Sequence, residues 1–429
     1  MFAYAAFALP LAMAALPVYV HVPKYYAGTL GVPLAWVGAI LLATRLLDAF
    51  QDPLLGYLSD RSVQTRLGRR LPVLLGAPVL AAGFVALFNA PEANVPMLSV
   101  WMAACLLVVT FGFSAASISY FAMGAELSRD YHERTRVTAT RGAFGVVGVL
   151  MAAALPELLS AQAGGETGLA AFSLLFLPVI AICVFATLAW SPKPPPKSKA
   201  PQFSWRRMLQ PLANREFRWL MAVFVVSGIA AAIPGTLILF FVQDVLQRPQ
   251  YAGLFLGLYF LFGALGMPAW IGASRRLGKR NAWLAGMFLA VAAFVWAFSL
   301  GEGDVVGFAL VCVLSGLAYG AELAIPSSML ADVVDAGSRE DEARPDGAYF
   351  GLWQMLEKLN LALAAGIALP ALAWLGYVPG TPQASFGALP AMYALVPCVI
   401  KLGSAALLWW APLDRRVLAR PVYAQQGGT

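Results

Sequence analysis

Twelve separate stretches of this 429-residue sequence are each apolar over the length of a membrane crossing. One set lies at 3–26, 34–58, 71–90, 97–125, 141–162 and 168–190, and a second at 217–243, 251–273, 282–300, 304–332, 347–376 and 388–411. The hydrocarbon core of a bilayer is crossed by a helix of about 20 residues. Backbone N–H and C=O groups find no water there, so each run must satisfy them internally as a helix. Composition agrees: 60% of residues are hydrophobic and 12% charged, against roughly 45–50% and 25% in soluble domains. A mean hydropathy of +0.73 leaves too little polar surface for a water-soluble enzyme. The fold class predicted is an all-α membrane protein of twelve transmembrane helices.

Between the sets the chain turns Pro- and Lys-rich (SPKPPPKSKAPQFSWRR), a composition that extends along anionic headgroups rather than entering the bilayer. The predicted organisation is an N-terminal six-helix bundle over 1–190 and a cytoplasmic linker over 191–216. A C-terminal six-helix bundle over 217–411 and a cytoplasmic tail over 412–429 complete it. The sequence enters its first apolar run without a basic n-region or A-x-A site, so that run reads as helix 1 and not as a signal peptide. Charge asymmetry orients the helices. Arg61, Arg66, Arg69 and Arg70 follow helix 2, and Arg129, Arg134 and Arg136 follow helix 4. Arg275, Arg276, Lys279 and Arg280 follow helix 8, and Arg415, Arg416 and Arg420 follow helix 12. The opposite side has Lys24 and Arg248 beside Glu92, Glu166, Glu302 and Asp304. Both termini are therefore expected in the cytoplasm of a multi-pass cell-membrane protein.

The halves repeat one another. SDRSVQTRLGRR after helix 2 is echoed by SRRLGKR after helix 8, and AELSRDYHERTRVTATRGAFG after helix 4 by ADVVDAGSREDEARPDGAYFG after helix 10. Two matches in register imply a duplicated six-helix unit, the parallel-repeat arrangement of the major facilitator fold, whose substrate site lies midway through the bilayer between the repeats.

Charges inside a membrane are costly and mark function by default. Helix 2 holds the densest set. Arg45, Asp48 and Asp52 fall at i, i+3 and i+7 and share one face. Asp48 and Asp52 are i, i+4 neighbours and repel, which a bound cation or a shared proton relieves. Arg45 alone can neutralise one of them, as in a purely structural Arg–Asp network. Lys358 of helix 11 is the counter-charge from the other half, able to compete with a cation, or else part of an inert neighbourhood with Glu357. Glu322 of helix 10 is deep enough to line a cavity. Lys401 reads as a snorkelling lysine, and Glu157 as interfacial. Glu126, Asp332 and Asp335 end helices where acids oppose the macrodipole. They are expected to pair with Arg134, Arg136, Arg339 or Arg344 as cytoplasmic gate salt bridges. Of the aromatics Tyr120, Phe121, Tyr349, Phe350 and Trp353, a minority should touch ligand. Cys105, Cys183, Cys312 and Cys398 lack metal spacing and read as core residues.

RLLDAFQDPLLGYLSDR…RLGRR, AELSRDYHERTRVTATR, MLADVVDAG and LGYVPGTPQ resemble the glycoside–pentoside–hexuronide:cation symporters, the melibiose-permease branch of the major facilitators. The resemblance runs nearly end to end, and the D-x-x-x-D-P motif of helix 2 is its most specific part. It implies Asp48 and Asp52 as ligands of Na⁺ or H⁺, with Ser114 of helix 4 as a third. It also matches Lys358 to the helix-11 lysine and Arg141 to a sugar-contacting arginine of helix 5. The sugar-binding carboxylates fall at Ala12 and Ser117, the stacking aromatic is Phe121, and Leu323 stands where a second tryptophan would be. Sugar hydroxyls need acceptors, so this more apolar wall fits an amphiphile as a second reading, and lysolipid carriers share the fold branch. The function expected is a cation-coupled symporter of a glycoside-like or other small organic solute. No cofactor beyond the coupling ion, no enzymatic activity and no nucleic-acid partner are expected, and a monomer in a bacterial inner membrane is.

Overall fold

The computed structural model describes residues 2–65, 67–126, 131–163, 168–190, 209–337, 346–382 and 387–413. Among the described residues there are twelve helices able to cross a membrane and no strand. In chain order they are α1 (Phe2–Thr29), α2 (Leu34–Ser62), α3 (Arg70–Phe88), α4 (Val95–Gly124), α5 (Arg136–Ser160) and α6 (Gly168–Trp190). The second six are α7 (Arg215–Asp244), α8 (Pro249–Leu277), α9 (Lys279–Phe298), α10 (Val305–Val334), α11 (Ala348–Trp374) and α12 (Ala388–Trp410).

Local chemistry sets several helix ends. Asn214 caps α7, its side chain accepting from the Phe217 N–H at 3.1 Å, which satisfies one of the orphan donors of the first turn. Helix α5 continues a helix that begins at Tyr131, ten residues before the apolar run at 141. YHERTRVTAT is too polar to register by hydropathy, yet nothing in it breaks a helix.

Without a hydrophobic force between helices in lipid, small residues and van der Waals contact bring them together. A Cβ on Gly112 of α4 would lie 2.4 Å from the Leu80 backbone nitrogen of α3, so these helices touch backbone to backbone. Two seams join the halves: α2 packs on α11, and α5 on α8, with α1 also meeting α7. The large apolar core runs through both halves, from Tyr4, Val73 and Tyr120 to Phe241, Leu372 and Tyr393. A second cluster, including Phe217, Trp283, Leu330, Trp353 and Leu408, belongs to the second half alone. It lies toward the end of the molecule that carries the Arg- and Lys-rich loops, called the basic end below. The halves thus share a core away from that end and pack separately at it.

The duplication is visible in the loops. Gly68 and Gly278 occupy equivalent positions in RLGRR and RLGKR, and both have positive φ, 58° and 83°, a backbone shape that side chains with a Cβ disfavour. The basic residue after each glycine reaches an acid. Arg69 pairs with Asp60 at 2.6 Å, and Lys279 pairs with Asp332 at 2.7 Å.

Candidate functional site

The α2–α11 seam holds a charge cluster. Asp48 is 1% exposed, and its Oδ1 accepts from Gln51 Nε2 at 2.7 Å and from Ser114 Oγ at 3.0 Å. Lys358 crosses from α11. Its Nζ lies 3.0 Å from Asp48 Oδ2, 2.5 Å from Asp52 Oδ2 and 2.9 Å from Ser114 Oγ. Arg45 stands farther off, 3.8 Å from Asp48 Oδ2, so the lysine and not the arginine is the close counter-charge. Three oxygens from α2 and α4 therefore converge on one ammonium carried by the other half. Asp52 Oδ1 is buried without a hydrogen-bond partner, an acceptor position that remains open beside the lysine.

A cavity of about 300 Å³ lies next to the seam, lined mainly by α7, α8, α10 and α11, with Tyr19 and Val20 from α1. Phe224 and Trp353 stack in its wall with centroids 3.8 Å apart. Glu322, Leu323, Glu357 and Asn360 also line it. Of the residues the sequence nominates for substrate, Glu322 and Trp353 face this cavity. Arg45, Ser117, Phe121, Arg141 and Lys358 do not belong to its lining. Ser117 is buried. Arg141 stacks over the Phe121 ring, 4.7 Å from its centroid. Tyr120 is packed against Tyr4 at 4.6 Å, Tyr349 against Phe217 at 4.9 Å, and Phe350 is exposed.

Lys401 corrects the sequence reading. It does not snorkel: it is buried, donating to Ser227 Oγ at 2.9 Å and the Ser227 carbonyl at 3.0 Å, and pairing with Glu322 Oε2 at 3.3 Å. Trp283 Nε1 donates to the same carboxylate oxygen at 3.2 Å. A snorkelling lysine needs a path to the interface, and here two partners lie closer. Asp332 is a second correction, since its partner among the described residues is Lys279. Arg136 is exposed at the start of α5. The side chains of Glu126, Arg134 and Asp335, and the residues Arg339 and Arg344, lie outside what the structure describes. Glu157 is half-buried and lines a separate cavity of about 230 Å³ with His21 and Lys24.

Two site residues carry no sequence signal. In sequence Glu357 is a neighbour of Lys358, but adjacent helix positions point about 100° apart: the lysine faces α2 and the glutamate faces the cavity. Asn360, three residues on, lies on the face of Glu357 and lines the cavity with it. At the end away from the basic loops, the LGYVPGTPQ motif has a structural job. The Tyr377 hydroxyl and the Gly380 N–H (3.0 Å) both donate to Asp244 at the end of α7.

Comparison with known proteins fixes the family. The sequence model of the family described as MFS/sugar transport protein matches residues 1–415. The chain is 24% identical to the inner membrane symporter YicJ of Escherichia coli, over 91% of this chain and 86% of that protein. It is 26% identical to the isoprimeverose transporter of Lactiplantibacillus pentosus, over 90% and 83%. The crystal structure of the nucleoside transporter NupG superposes with a TM-score of 0.68 at 15% identity, covering 95% of this chain and 98% of that one. An inward-facing bacterial homologue of the lysosomal transporter Spinster gives 0.69 at 15%, covering 96% and 94%. The chain belongs to the MFS/sugar transport family: it is a multi-pass membrane transporter and not an enzyme.

Proposed function

From that membership we propose that this transporter is a cation-coupled symporter of a sugar-like solute, with Asp48, Asp52 and Ser114 as the cation site and Lys358 as the coupling residue. The observation that carries the reading is the convergence of three oxygens on the Lys358 ammonium. That nitrogen sits where a monovalent cation would be held, so lysine and cation compete for one position. When the cation, Na⁺ or H⁺, satisfies the carboxylates, Lys358 is released, and the ion-pair tie between α2 and α11 loosens. The halves are then free to rock about the cavity between them. Relatives named as symporters, among them the putative glycoside/cation symporter YagG of E. coli, support the same class. The positive-inside rule applied to the basic loops supports a bacterial inner-membrane protein with both termini on the cytoplasmic side. The loop charges of the basic end, Glu126, Arg134, Arg136, Asp335 and Arg339, act as the cytoplasmic gate, whereas Lys279–Asp332 ties α9 to α10 within the second half.

The test is uptake into proteoliposomes under an imposed Na⁺ or H⁺ gradient, across a panel of glycosides, pentosides and a lysolipid. Gradient-dependent accumulation of a glycoside, abolished in Asp48→Asn, is expected. Undiminished coupled uptake in Asp48→Asn contradicts the reading. Uptake of the lysolipid alone selects an amphiphile carrier instead.

A further inference from the structure

The cavity states, in its unmet hydrogen bonds, what kind of solute fills it. Two of its side chains hold a buried polar atom without a partner, and both atoms are acceptors: Glu322 Oε1 and Asn360 Oδ1. Asn360 is 4% exposed, and its Nδ2 donates to the Phe224 carbonyl at 3.4 Å, which turns Oδ1 the other way. The Glu322 side chain is 10% exposed. Its Oε2 is held by Lys401 and Trp283, which leaves Oε1 as the free end. Meanwhile the donors of Tyr19, Ser315 and Ser327 in the same wall are spent on backbone carbonyls, and the hydroxyl-bearing Tyr259, Tyr319 and Tyr393 also line it. Unmet buried acceptors are costly, and a solute rich in donors satisfies them.

Charge sharpens the inference. Lys401 balances Glu322. Glu357 faces the cavity with no ion pair to a Lys or Arg among the described residues, because the adjacent Lys358 is turned to Asp48 and Asp52. The wall therefore offers a solute a carboxyl with no basic partner among the described residues, and an anionic solute there finds no counter-charge.

We propose that Glu322, Glu357 and Asn360 form the specificity-determining wall of the transport cavity. They select a hydroxylated solute that is neutral or bears an ammonium group, and reject one bearing a carboxylate. This inference rests on the transport reading above and names its substrate class.

Glucose, glucosamine and glucuronate, with their galacto counterparts, differ by one group on a common ring. Their binding to purified full-length protein is measured by thermal shift and calorimetry, with and without Na⁺. The amino and neutral sugars are expected to bind at least tenfold more tightly than the uronates. Glu357→Gln should narrow that gap by about tenfold, chiefly by admitting the uronates. Its melt and gel-filtration profile report whether it folds, and Asn360→Leu gives a second reading through loss of affinity for neutral sugars. Uronates binding as tightly as neutral sugars overturn the proposal. So do an unchanged gap in Glu357→Gln and the absence of binding by all six sugars. The effect of Na⁺ bears on the coupling reading, and the order among the sugars on this one, so either can fail alone.

Discussion

At the scale of single residues, two lysines buried in the membrane do different work. Lys358 is shared by two carboxylates and a hydroxyl from the opposite half. In Lys358→Gln, Asp48 and Asp52 keep only Arg45, 3.8 Å from Asp48, as counter-charge. Breaking a buried pair by removing one partner costs about 3–5 kcal/mol. The variant should melt well below wild type without Na⁺ and recover as Na⁺ is added, with an apparent cation affinity at least tenfold higher. Thermal melts across a Na⁺ titration check this, and a deficit that Na⁺ leaves untouched would count against a cation at that position. Lys401 has one acid, Glu322, and sits wholly within the second half. Glu322→Gln strands its charge and should cost about 3–5 kcal/mol. The double variant Glu322→Gln/Lys401→Met should regain most of it, since neutral packing replaces a buried pair at little cost. Chemical denaturation or melts of the two variants side by side read the difference.

At the scale of elements, the helices and their loops explain which motifs are scaffolding. The α11–α12 loop clamps the end of α7, because Tyr377 and Gly380 both donate to Asp244. Tyr377→Phe leaves a buried carboxylate oxygen short of a donor, at a cost of about 1–3 kcal/mol. A lowered melting temperature with the cation response intact is the expected result. The helices are legible in the sequence because hydropathy over a long window is a strong signal, and the charged face of α2 can be read because its acids repeat at helical spacing, although the helix runs on from 58 to Ser62. What escapes the sequence depends on direction and distance across helices. Nothing local says that Glu357 and Lys358 point to different partners, or that Lys401 meets Ser227 and Glu322, which lie 174 and 79 residues away in the chain. The start of the helix at Tyr131 is hidden for the converse reason. Its first turns are polar, and hydropathy measures lipid contact rather than helicity.

At the scale of the whole molecule, the two halves are copies that have kept their loops and diverged in their interiors. Gly68 with Arg69 and Gly278 with Lys279 both keep a positive-φ glycine before a basic residue that pairs with an acid, Asp60 of the preceding helix in one half and Asp332 of the following helix in the other. The interiors differ: the first half supplies the acids of the seam, and the second supplies most of the cavity wall. The apolar core bridges the halves away from the basic end and divides near it, as expected of a carrier closed at one face. Orientation is open to a direct check. Gln64 and Glu92 are exposed at opposite ends of the first three helices, and Cys105, Cys312 and Cys398 are buried. In a Cys183→Ser background, Glu92→Cys should react with an impermeant maleimide added to intact cells, and Gln64→Cys only after lysis. The reverse pattern would invert the topology.

The central claim is that Asp48 and Asp52 hold the coupling cation in competition with Lys358. The most direct measurement is the melting temperature of purified protein as Na⁺ is raised at fixed ionic strength, and as pH is varied without Na⁺, for wild type, Asp48→Asn and Asp52→Asn. A bound cation stabilises the native state by an amount that grows with its concentration over its dissociation constant, about 2.7 kcal/mol at a hundredfold excess. The account predicts a saturable rise in wild type with one of the two cations and a flat response in both variants. A rise of equal size in the variants would contradict it.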